Sequence, residues 1–308
     1  MPASLRPRRS ALYVPGSNAR AIENAKSVPA DVLIFDLEDS VSAHAKDSAR
    51  EAVASAVTEL MHGRREIVVR INALDTPWVA RDIATMVAVR PDAVLLPKIS
   101  RTDDIRRARA AFAAARAPAT MTLWAMIETP AAILNATAIG TIAAMPAPSI
   151  GAFVIGTNDL AAELGTPVRL GRAALLPHLS HALLAARAHG LAILDGTFND
   201  LDNRGGLKSE CLQGRDMGMD GKTLVHPSQV PIANEAFAPD PEEVVWARQV
   251  VEAFALPSNS GVEVMRLAGR MVERLHERAA RRTLALAAAI ATMDQEMKDA
   301  SARRKANA

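Results

Sequence analysis

Short apolar runs alternate with longer amphipathic stretches from the beginning of the chain to about residue 235. Eight runs have the length and the content of branched aliphatic residues that buried β-strands have. They lie at residues 11–14, 32–37, 66–71, 93–96, 121–127, 150–155, 191–194 and 222–225. The stretches between them, such as 44–61, 78–89, 102–115 and 172–189, carry apolar residues at helical spacing. Eight strands that are each followed by a helix predict an α/β fold of the (β/α)8 barrel type.

An open, doubly wound sheet is the alternative architecture for such an alternation. Nucleotide-binding sheets of that kind carry a glycine-rich turn after the first strand or a phosphate-binding Walker A segment. Neither pattern occurs in this chain. The barrel is therefore the favoured fold.

The pattern changes beyond residue 238. We expect residues 1–238 to form the barrel and residues 239–308 to form a C-terminal helical extension, or lid, whose last residues are disordered. Two helices are predicted in it, over residues 241–254 and 263–297. The second would carry a narrow apolar stripe made of Val264, Leu267, Met271 and Leu275. A stripe of this width predicts docking, either onto the barrel or onto a neighbouring subunit.

Composition excludes several functional classes. The formal net charge is only +2, so no general surface for polyanions is indicated, and we expect no nucleic-acid partner. The single cysteine, Cys211, excludes a disulfide framework and a multi-cysteine metal site. No apolar run reaches the ~18 residues of a membrane span, and no apolar signal core is present near the N-terminus. We therefore expect a cytoplasmic protein without membrane contact.

Acidic residues follow three of the predicted strands at the point where each strand ends. The second predicted strand ends in the segment that carries Asp36, Glu38 and Asp39, and two later strands are followed by Glu128 and Asp159. The carboxyl ends of barrel strands form the face that carries active sites. Because Glu128 and Asp159 follow neighbouring strands, they are spaced to share one divalent cation. Oxygen ligands without histidine or cysteine favour Mg²⁺, although either acid could instead cap the following helix.

Basic residues also follow predicted strands. Arg70 closes the third strand, where a guanidinium could bind a substrate carboxylate or stabilise an oxyanion. The alternative for Arg70 is a structural ion pair with the acids after the second strand. Lys98 follows the fourth strand and is interpreted first as a charge-balancing residue and second as a catalytic group.

Other candidates lie next to the first and last strands. Residues 13–18 form a strand–turn–helix entry, and helix N-termini bind anions readily. Arg9 and Lys46 are expected to flank the same rim. His226 follows the eighth strand, where it could act as a base or be a packed, hydrogen-bonded residue.

Seven motifs in this chain resemble, in order, those of the citrate lyase β-subunit-like branch of the HpcH/HpaI aldolase family. They are Arg9-Ser10-x-x-Tyr13-Val14-Pro15-Gly16, Asp36-Leu37-Glu38-Asp39-Ser40-Val41 with Lys46, Val69-Arg70-Ile71-Asn72, Leu96-Pro97-Lys98, Ile127-Glu128-Thr129-Pro130, Gly156-Thr157-Asn158-Asp159-Leu160 and Gly221-Lys222-x-x-x-His226-Pro227. The resemblance implies a (β/α)8 barrel that assembles as a homotrimer or hexamer. It also implies Mg²⁺, with Mn²⁺ as an alternative ion, and acyl-CoA substrates. The implied reaction is the reversible cleavage of a 3-hydroxyacyl-CoA, such as malyl-CoA or citramalyl-CoA, to acetyl-CoA and a 2-keto acid.

The resemblance also implies roles for single residues. Glu128 and Asp159 resemble the metal ligands, and Arg70 resembles the residue that holds the keto acid. Glu38 and Asp39 would lie near the water shell of the metal. Residues that would contact coenzyme A or substrate are Arg9, Lys46, Arg70, Pro97, Lys98, Pro130 and His226.

The C-terminal segment 269–276 resembles a lid motif that normally reads Gly-Lys-Met-Ile-Asp. In that motif the acid reaches the site of a neighbouring subunit and handles a proton. The corresponding acid here is Glu273, which is one methylene longer, within a stretch predicted as continuous helix.

Two other functions stay open. One is a pyruvate-class aldolase that acts on free hydroxy-keto acids, although such enzymes carry a Glu-His pair where this chain has Glu38-Asp39. The other is a non-catalytic or carrier-dependent β-like subunit of a citrate lyase complex. The sequence does not choose between cleavage, condensation and thioester hydrolysis. It does not choose the acyl group either, because a methylene changes binding by only about 1–3 kcal/mol.

Overall fold

The structure is a computed structural model that describes residues 6–61, 63, 65–142, 148–167 and 171–306. Eight parallel strands close into a barrel in sequence order, with β8 paired to β1. The strands are β1 Ser10–Pro15, β2 Val32–Asp36, β3 Glu66–Arg70, β4 Ala93–Leu96, β5 Thr122–Ile127, β6 Ser149–Ile155, β7 Ala192–Asp195 and β8 Gly221–Leu224. The predicted (β/α)8 barrel is confirmed.

Helices surround this barrel. They are α1 Ala19–Ala25, α2 Lys46–Leu60, α3 Val79–Val89, α4 Thr102–Ala114, α5 Pro130–Thr141, α6 Thr157–Leu164, α7 Leu176–Ala188, α8 Arg204–Met217 and α9 Val230–Ala236. Side chains cap the starts of α1, α5 and α8: Asn18 caps α1, for example, by accepting a hydrogen bond from the backbone N–H of Ala21 at 3.0 Å. Because each helix returns the chain to the amino end of the next strand, all eight strands end at the same rim.

The strands are apolar on both sides because the barrel has two core layers. Along β2, Ile34 belongs to the layer inside the barrel, whereas Phe35 belongs to the layer between strands and helices. Trp124 fills the interior and is fully buried. Successive strand residues point to opposite faces, so the inward series continues to the strand ends. In β2, β3 and β5 the next inward positions are Asp36, Arg70 and Glu128, which places these side chains at the mouth.

Residues from Ala238 onward belong to a second compact unit, distinct from the unit Arg8–Phe237. It contains α10 Pro241–Ala255, the antiparallel strands β9 Val264–Leu267 and β10 Arg270–Glu273, and α11 Arg274–Ala306. The expectation of a disordered C-terminal end falls partly on residues 307–308, which lie outside the described residues. None of the helices in the described part of the chain is long and apolar enough to cross a membrane.

The prediction of one continuous helix over residues 263–297 is wrong. A two-residue turn joins β9 to β10, and both of its residues have positive φ, +46° at Ala268 and +82° at Gly269. That geometry matches the twist of a hairpin and interrupts any helix. The predicted stripe is consequently split between two faces. Leu267 packs with Val272 against α10 and α11, while Met271 is 65% exposed.

Candidate active site

An ion pair between β2 and β3 organises the mouth of the barrel. Arg70 donates from Nε to Asp36 Oδ1 and from Nη2 to Asp36 Oδ2, both at 2.7 Å. The same carboxylate accepts hydrogen bonds from the backbone N–H groups of Glu38, at 2.9 Å, and Ser40, at 3.0 Å. Burial raises the pKa of Asp36, but the charge and hydrogen bonds of Arg70 outweigh that effect and lower it below its usual value. Asp36 is therefore a charged anchor that fixes both Arg70 and the loop after β2.

The remaining nitrogen of Arg70 contacts the other two acids of that loop. Nη1 lies 3.0 Å from Glu38 Oε2 and 3.3 Å from Asp39 Oδ2. The guanidinium also stacks over the ring of Tyr13 at 5.0 Å. The structural alternative for Arg70, an ion pair with the acids after β2, is thus present. It fixes the orientation of the guanidinium beside the mouth.

Glu38 is buried and lies in an acidic environment. Burial raises the pKa of its carboxyl to about 8, while Arg70 opposes the shift and Asp39 and Glu128 add to it. Among the described residues, its Oε2 has no partner with hydrogen-bond geometry. Glu38 consequently carries a proton near neutral pH and can serve as a proton donor.

Glu128 and Asp159 lie side by side. Glu128 follows β5 and is fully buried, and Asp159 lies in the first turn of α6, directly after β6. Lys98 Nζ lies within 3.8 Å of a carboxylate oxygen of each residue, so the two carboxyl groups are neighbours. Gly156 makes this approach possible, because a Cβ there would lie 2.7 Å from Glu128 Oε2. The structure therefore brings the two predicted metal ligands together.

The pair shares a proton unevenly. Burial raises the pKa of Glu128 to about 7, and the neighbouring Asp159 adds to the shift. Burial alone would raise the pKa of Asp159, but its hydrogen bonds with Lys98 and Glu128 and the charges of Lys98 and Arg70 together lower it. A shared proton consequently resides on Glu128.

Lys98 contacts both acids of the pair. Its Nζ lies 2.6 Å from Asp159 Oδ2 and 3.8 Å from Glu128 Oε1, and its backbone N–H donates to Glu128 Oε1 at 2.6 Å. The residue has a φ of +55°, a left-handed conformation that costs a non-glycine residue about 1–2 kcal/mol. Strain of this kind clusters at functional sites. Here the strained backbone directs an amide at Glu128.

The donor set of this pair fits a hard divalent cation. Glu128 Oε2 is buried and has no hydrogen-bond partner among the described residues, and a positive group already contacts both carboxylates. Mg²⁺ takes one or two carboxylates and keeps several waters. In the described part of the chain, no group of three or more histidine, cysteine or acidic residues could hold a metal. A metal here would therefore have Glu128 and Asp159 as its side-chain ligands.

The expected position of Arg9 is wrong. Arg9 precedes β1 and so lies at the amino end of the barrel, opposite the rim at which the strands end. Its Nε and Nη2 donate to the two carboxylate oxygens of Asp31 at 2.9 and 2.8 Å, and the residue is 4% exposed. The motif is therefore explained by a buried ion pair that ties the starts of β1 and β2 together. A rim contact with coenzyme A does not fit this placement.

Lys46 lies at the rim but is directed inward. Its Nζ donates to the carbonyl oxygens of Leu37 at 2.7 Å and Glu38 at 2.8 Å, and it lies 5.1 Å from the ring centre of Trp78. Burial lowers the pKa of this amine, against the raising effect of nearby acids such as Asp36. In this arrangement Lys46 supports the loop that carries Glu38. Contact with coenzyme A stays a prediction.

The remaining predicted residues divide between the rim and the second unit. Pro97 is buried directly after β4, Pro130 is the first residue of α5, and His226 is exposed after β8 with its Nδ1 2.8 Å from Ser228 Oγ. Glu273 ends β10, and its backbone N–H donates to His276 Nδ1 at 2.9 Å. The binding roles of the first three residues and the catalytic role of Glu273 stay predictions.

Sequence reasoning missed two polar features near the mouth. Thr157 is buried beside Gly196, and its hydroxyl has no partner among the described residues. Lys222 on β8 is fully buried and donates to Asp195 Oδ2 at 2.9 Å and Glu210 Oε1 at 2.7 Å. A lysine within a predicted barrel strand was the available signal for the second feature. The first depends on packing between loops and has no sequence signal.

We expect the Asp36→Asn variant to be less stable by about 3–5 kcal/mol, because the buried Arg70 would lose its charged partner. Urea denaturation would measure the change in the free energy of unfolding. Asp39→Asn is the matched control: its side chain is 61% exposed, and an exposed pair contributes at most about 1 kcal/mol. Equal stability losses in the two variants would show that Asp36 is not the anchor.

We expect Mg²⁺ to bind the protein about tenfold more weakly at pH 6 than at pH 8, because the cation must displace the proton held by Glu128. With the pKa of Glu128 raised to about 7, that carboxyl is mostly protonated at pH 6 and mostly ionised at pH 8. Isothermal titration calorimetry at the two pH values would measure the change. A dissociation constant that is independent of pH would contradict the shared proton.

The sequence of this chain is similar to those of several known proteins. The sequence model of the HpcH/HpaI aldolase/citrate lyase family matches residues 9–227. A (3S)-malyl-CoA thioesterase of Cereibacter sphaeroides is 44% identical over 285 residues, which are 92% of this chain and 96% of that protein. The β subunit of Escherichia coli citrate lyase is 35% identical over 273 residues, which are 87% of this chain and 89% of that subunit.

A solved structure is similar over almost the whole chain. CitE of Mycobacterium tuberculosis, in complex with magnesium, acetoacetate and coenzyme A, superposes with a TM-score of 0.71 at 30% identity. The match covers 91% of this chain and 97% of that one. The resemblance inferred from the seven motifs is thus confirmed, and the chain belongs to the HpcH/HpaI aldolase/citrate lyase family.

Proposed function

We propose that this protein is a Mg²⁺-dependent enzyme that cleaves the carbon–carbon bond of a 3-hydroxyacyl-CoA, such as malyl-CoA or citramalyl-CoA. The products would be acetyl-CoA and a 2-keto acid. The observation that carries the proposal is the position of Glu128 and Asp159 at the barrel mouth, where Lys98 Nζ lies within 3.8 Å of a carboxylate oxygen of each. Support also comes from the relatives: one is named for malyl-CoA and another for citrate cleavage, and a third binds magnesium with coenzyme A.

The proposed reaction is a retro-aldol cleavage of the Claisen type. A base takes the proton of the hydroxyl group, a carbonyl forms at that carbon, and the bond to the neighbouring carbon breaks. The electron pair of that bond passes into the thioester enolate, which then takes up a proton to give acetyl-CoA. A Mg²⁺ ion held by Glu128 and Asp159 would supply positive charge that lowers the pKa of the hydroxyl group and orients it.

Arg70 is assigned to the keto-acid half of the substrate. Asp36 occupies its Nε and Nη2, which leaves Nη1 as the nitrogen available to an incoming carboxylate. A substrate carboxylate would replace the contacts of Nη1 with Glu38 and Asp39. Because the guanidinium is already held by Asp36 and Tyr13, little orientational freedom is lost on binding.

Proton transfer is assigned to acids other than the two proposed metal ligands, Glu128 and Asp159. Glu38, with its pKa raised to about 8, is a proton donor near neutral pH, and Asp39 is the neighbouring exposed carboxylate. Glu273 is the candidate for protonating the enolate, by its position in the lid motif. A group of this kind contributes about 10²–10⁴-fold to a rate.

Thioester hydrolysis is the second candidate, because the malyl-CoA thioesterase is the 44% identical relative. Hydrolysis would use the same recognition of the hydroxyl and carboxylate groups but break the carbon–sulfur bond, giving free coenzyme A and a hydroxy dicarboxylate. We favour carbon–carbon cleavage because Arg70, Glu128 and Asp159 all serve the end of the substrate that is remote from the thioester.

Product analysis separates the two reactions. We expect the protein, incubated with Mg²⁺ and a panel of malyl-, methylmalyl-, citramalyl- and citryl-CoA, to release a 2-keto acid together with a shorter acyl-CoA, which is propionyl-CoA from methylmalyl-CoA and acetyl-CoA from the others. Free coenzyme A with a hydroxy acid, and no keto acid, would identify a thioesterase. Turnover only after a small acyl-carrier subunit is added would identify a carrier-dependent β-like subunit. Turnover of free hydroxy-keto acids alone would identify a pyruvate-class aldolase.

We expect Asp159→Asn and Glu128→Gln to lower kcat/KM by at least about 10³-fold, since each removes a charged ligand from the metal site. The control is Glu163→Gln, which changes an exposed acid on the same helix α6 as Asp159. Steady-state kinetics across a Mg²⁺ titration would measure the effect. The proposal fails if a variant that combines Glu128→Gln with Asp159→Asn retains turnover that depends on Mg²⁺.

Assembly and location are proposed from the family alone. We propose a homotrimer or hexamer in the cytoplasm, with Mn²⁺ able to replace Mg²⁺. Light scattering of the purified protein would measure the assembly size, and metal substitution kinetics would test Mn²⁺.

A further inference from the structure

We propose that Lys98 is a built-in cation of the metal site: its ammonium holds Glu128 and Asp159 in place before a divalent ion binds, and it withdraws when the ion arrives. The inference rests on the proposed metal site but not on the reaction catalysed there. It concerns the affinity of the protein for the metal and the group that the metal displaces when it binds.

The contacts of Lys98 reach both carboxylates through two different groups. The ammonium lies 2.6 Å from Asp159 Oδ2 and 3.8 Å from Glu128 Oε1. The backbone N–H donates to the same Glu128 Oε1 at 2.6 Å. One residue thus supplies a mobile charge and a fixed amide to one pair of acids.

The ammonium of Lys98 and a divalent ion would compete for the same carboxylate oxygens of Glu128 and Asp159. A Mg²⁺ bound by these carboxylates would lie about 2.0–2.1 Å from their oxygens. The ammonium, at 2.6 Å from Asp159 Oδ2, would then lie within a few ångströms of a like charge. The repulsion between the two cations favours withdrawal of the lysine.

The structure leaves room for that withdrawal. The Lys98 side chain is 40% exposed and ends a flexible four-carbon stem. A cavity of about 380 Å³ begins beside it. The other residues that line this cavity are Ser100, Arg101, Asp103, Asp104 and Arg107. The lining is polar and carries two acids and two arginines, so the displaced ammonium would enter an environment in which its charge can be solvated.

The amide contact does not depend on where the ammonium lies. It is set by the left-handed backbone of Lys98, with φ at +55°. Glu128 therefore keeps one hydrogen-bonded oxygen with and without metal. A substitution that changes only the side chain tests the ammonium separately from the amide.

The test compares the wild-type protein with Lys98→Met and Lys98→Arg by isothermal titration of Mg²⁺ into the metal-free protein at pH 8. We expect Lys98→Met to bind Mg²⁺ about tenfold more tightly, because the competing charge is gone. Lys98→Arg keeps the charge and should bind within about threefold of the wild type. The matched control is Arg107→Met, which removes one charge from the same cavity without a recorded contact to either carboxylate and should leave the affinity unchanged.

Thermal unfolding gives a second, independent reading. Metal-free Lys98→Met should melt at a lower temperature than the wild type, because two neighbouring carboxylates lose their cation. Its rise in Tm on adding Mg²⁺ should be larger than that of the wild type.

Each outcome decides the inference. Tighter Mg²⁺ binding by Lys98→Met alone supports it. Equal or weaker binding by that variant overturns the role of Lys98 while leaving the metal site in place. If neither the wild type nor any variant binds Mg²⁺, both the role of Lys98 and the metal site are overturned.

Discussion

The closed parallel barrel imposes one constraint on which the rest of the site depends. Every second residue of a strand faces the interior, and all eight strands end at one rim. Asp36, Arg70 and Glu128 occupy the last inward positions of their strands and therefore meet without any special loop design. The loops after β2 and β4 then add Glu38 and Lys98, and the first turn of α6 adds Asp159. The strands fix geometry, and the loops supply groups that can exchange partners.

Electrostatic balance explains the protonation states of the mouth. Five acids surround two permanent cations; they are Asp36, Glu38, Asp39, Glu128 and Asp159, with Arg70 and Lys98. Apart from Asp36, which forms the two-bond ion pair with Arg70, the most buried acids are Glu38 and Glu128. Protons on these two residues reduce the excess of negative charge. Their raised pKa values, about 8 for Glu38 and about 7 for Glu128, express this balance. A divalent ion would replace a proton and move the ammonium, so its binding is a charge exchange.

Much of this arrangement could be predicted from sequence because it follows from periodicity. Alternating apolar runs identified the barrel, and acids at strand ends identified Glu128 and Asp159 as neighbours. Arg9 was misplaced although it precedes the predicted first strand, a position that already indicates the amino end of the barrel and not the rim. The hairpin was missed because the apolar spacing from Val264 to Leu275 also fits a helix, and only the turn at Gly269 opposes it. The left-handed conformation of Lys98 has no sequence signal, because lysine is not a residue type that favours positive φ.

The strained backbone at position 98 has a consequence for how such sites diverge. The amide that orients Glu128 comes from the main chain, so it persists whatever side chain evolution installs there. If Lys98 competes with the metal as proposed, mutation at this position would change the affinity of the protein for Mg²⁺ without moving the carboxylates that bind it. In relatives exposed to different magnesium concentrations, the residue at this position would then set the metal affinity while the ligand geometry stays the same.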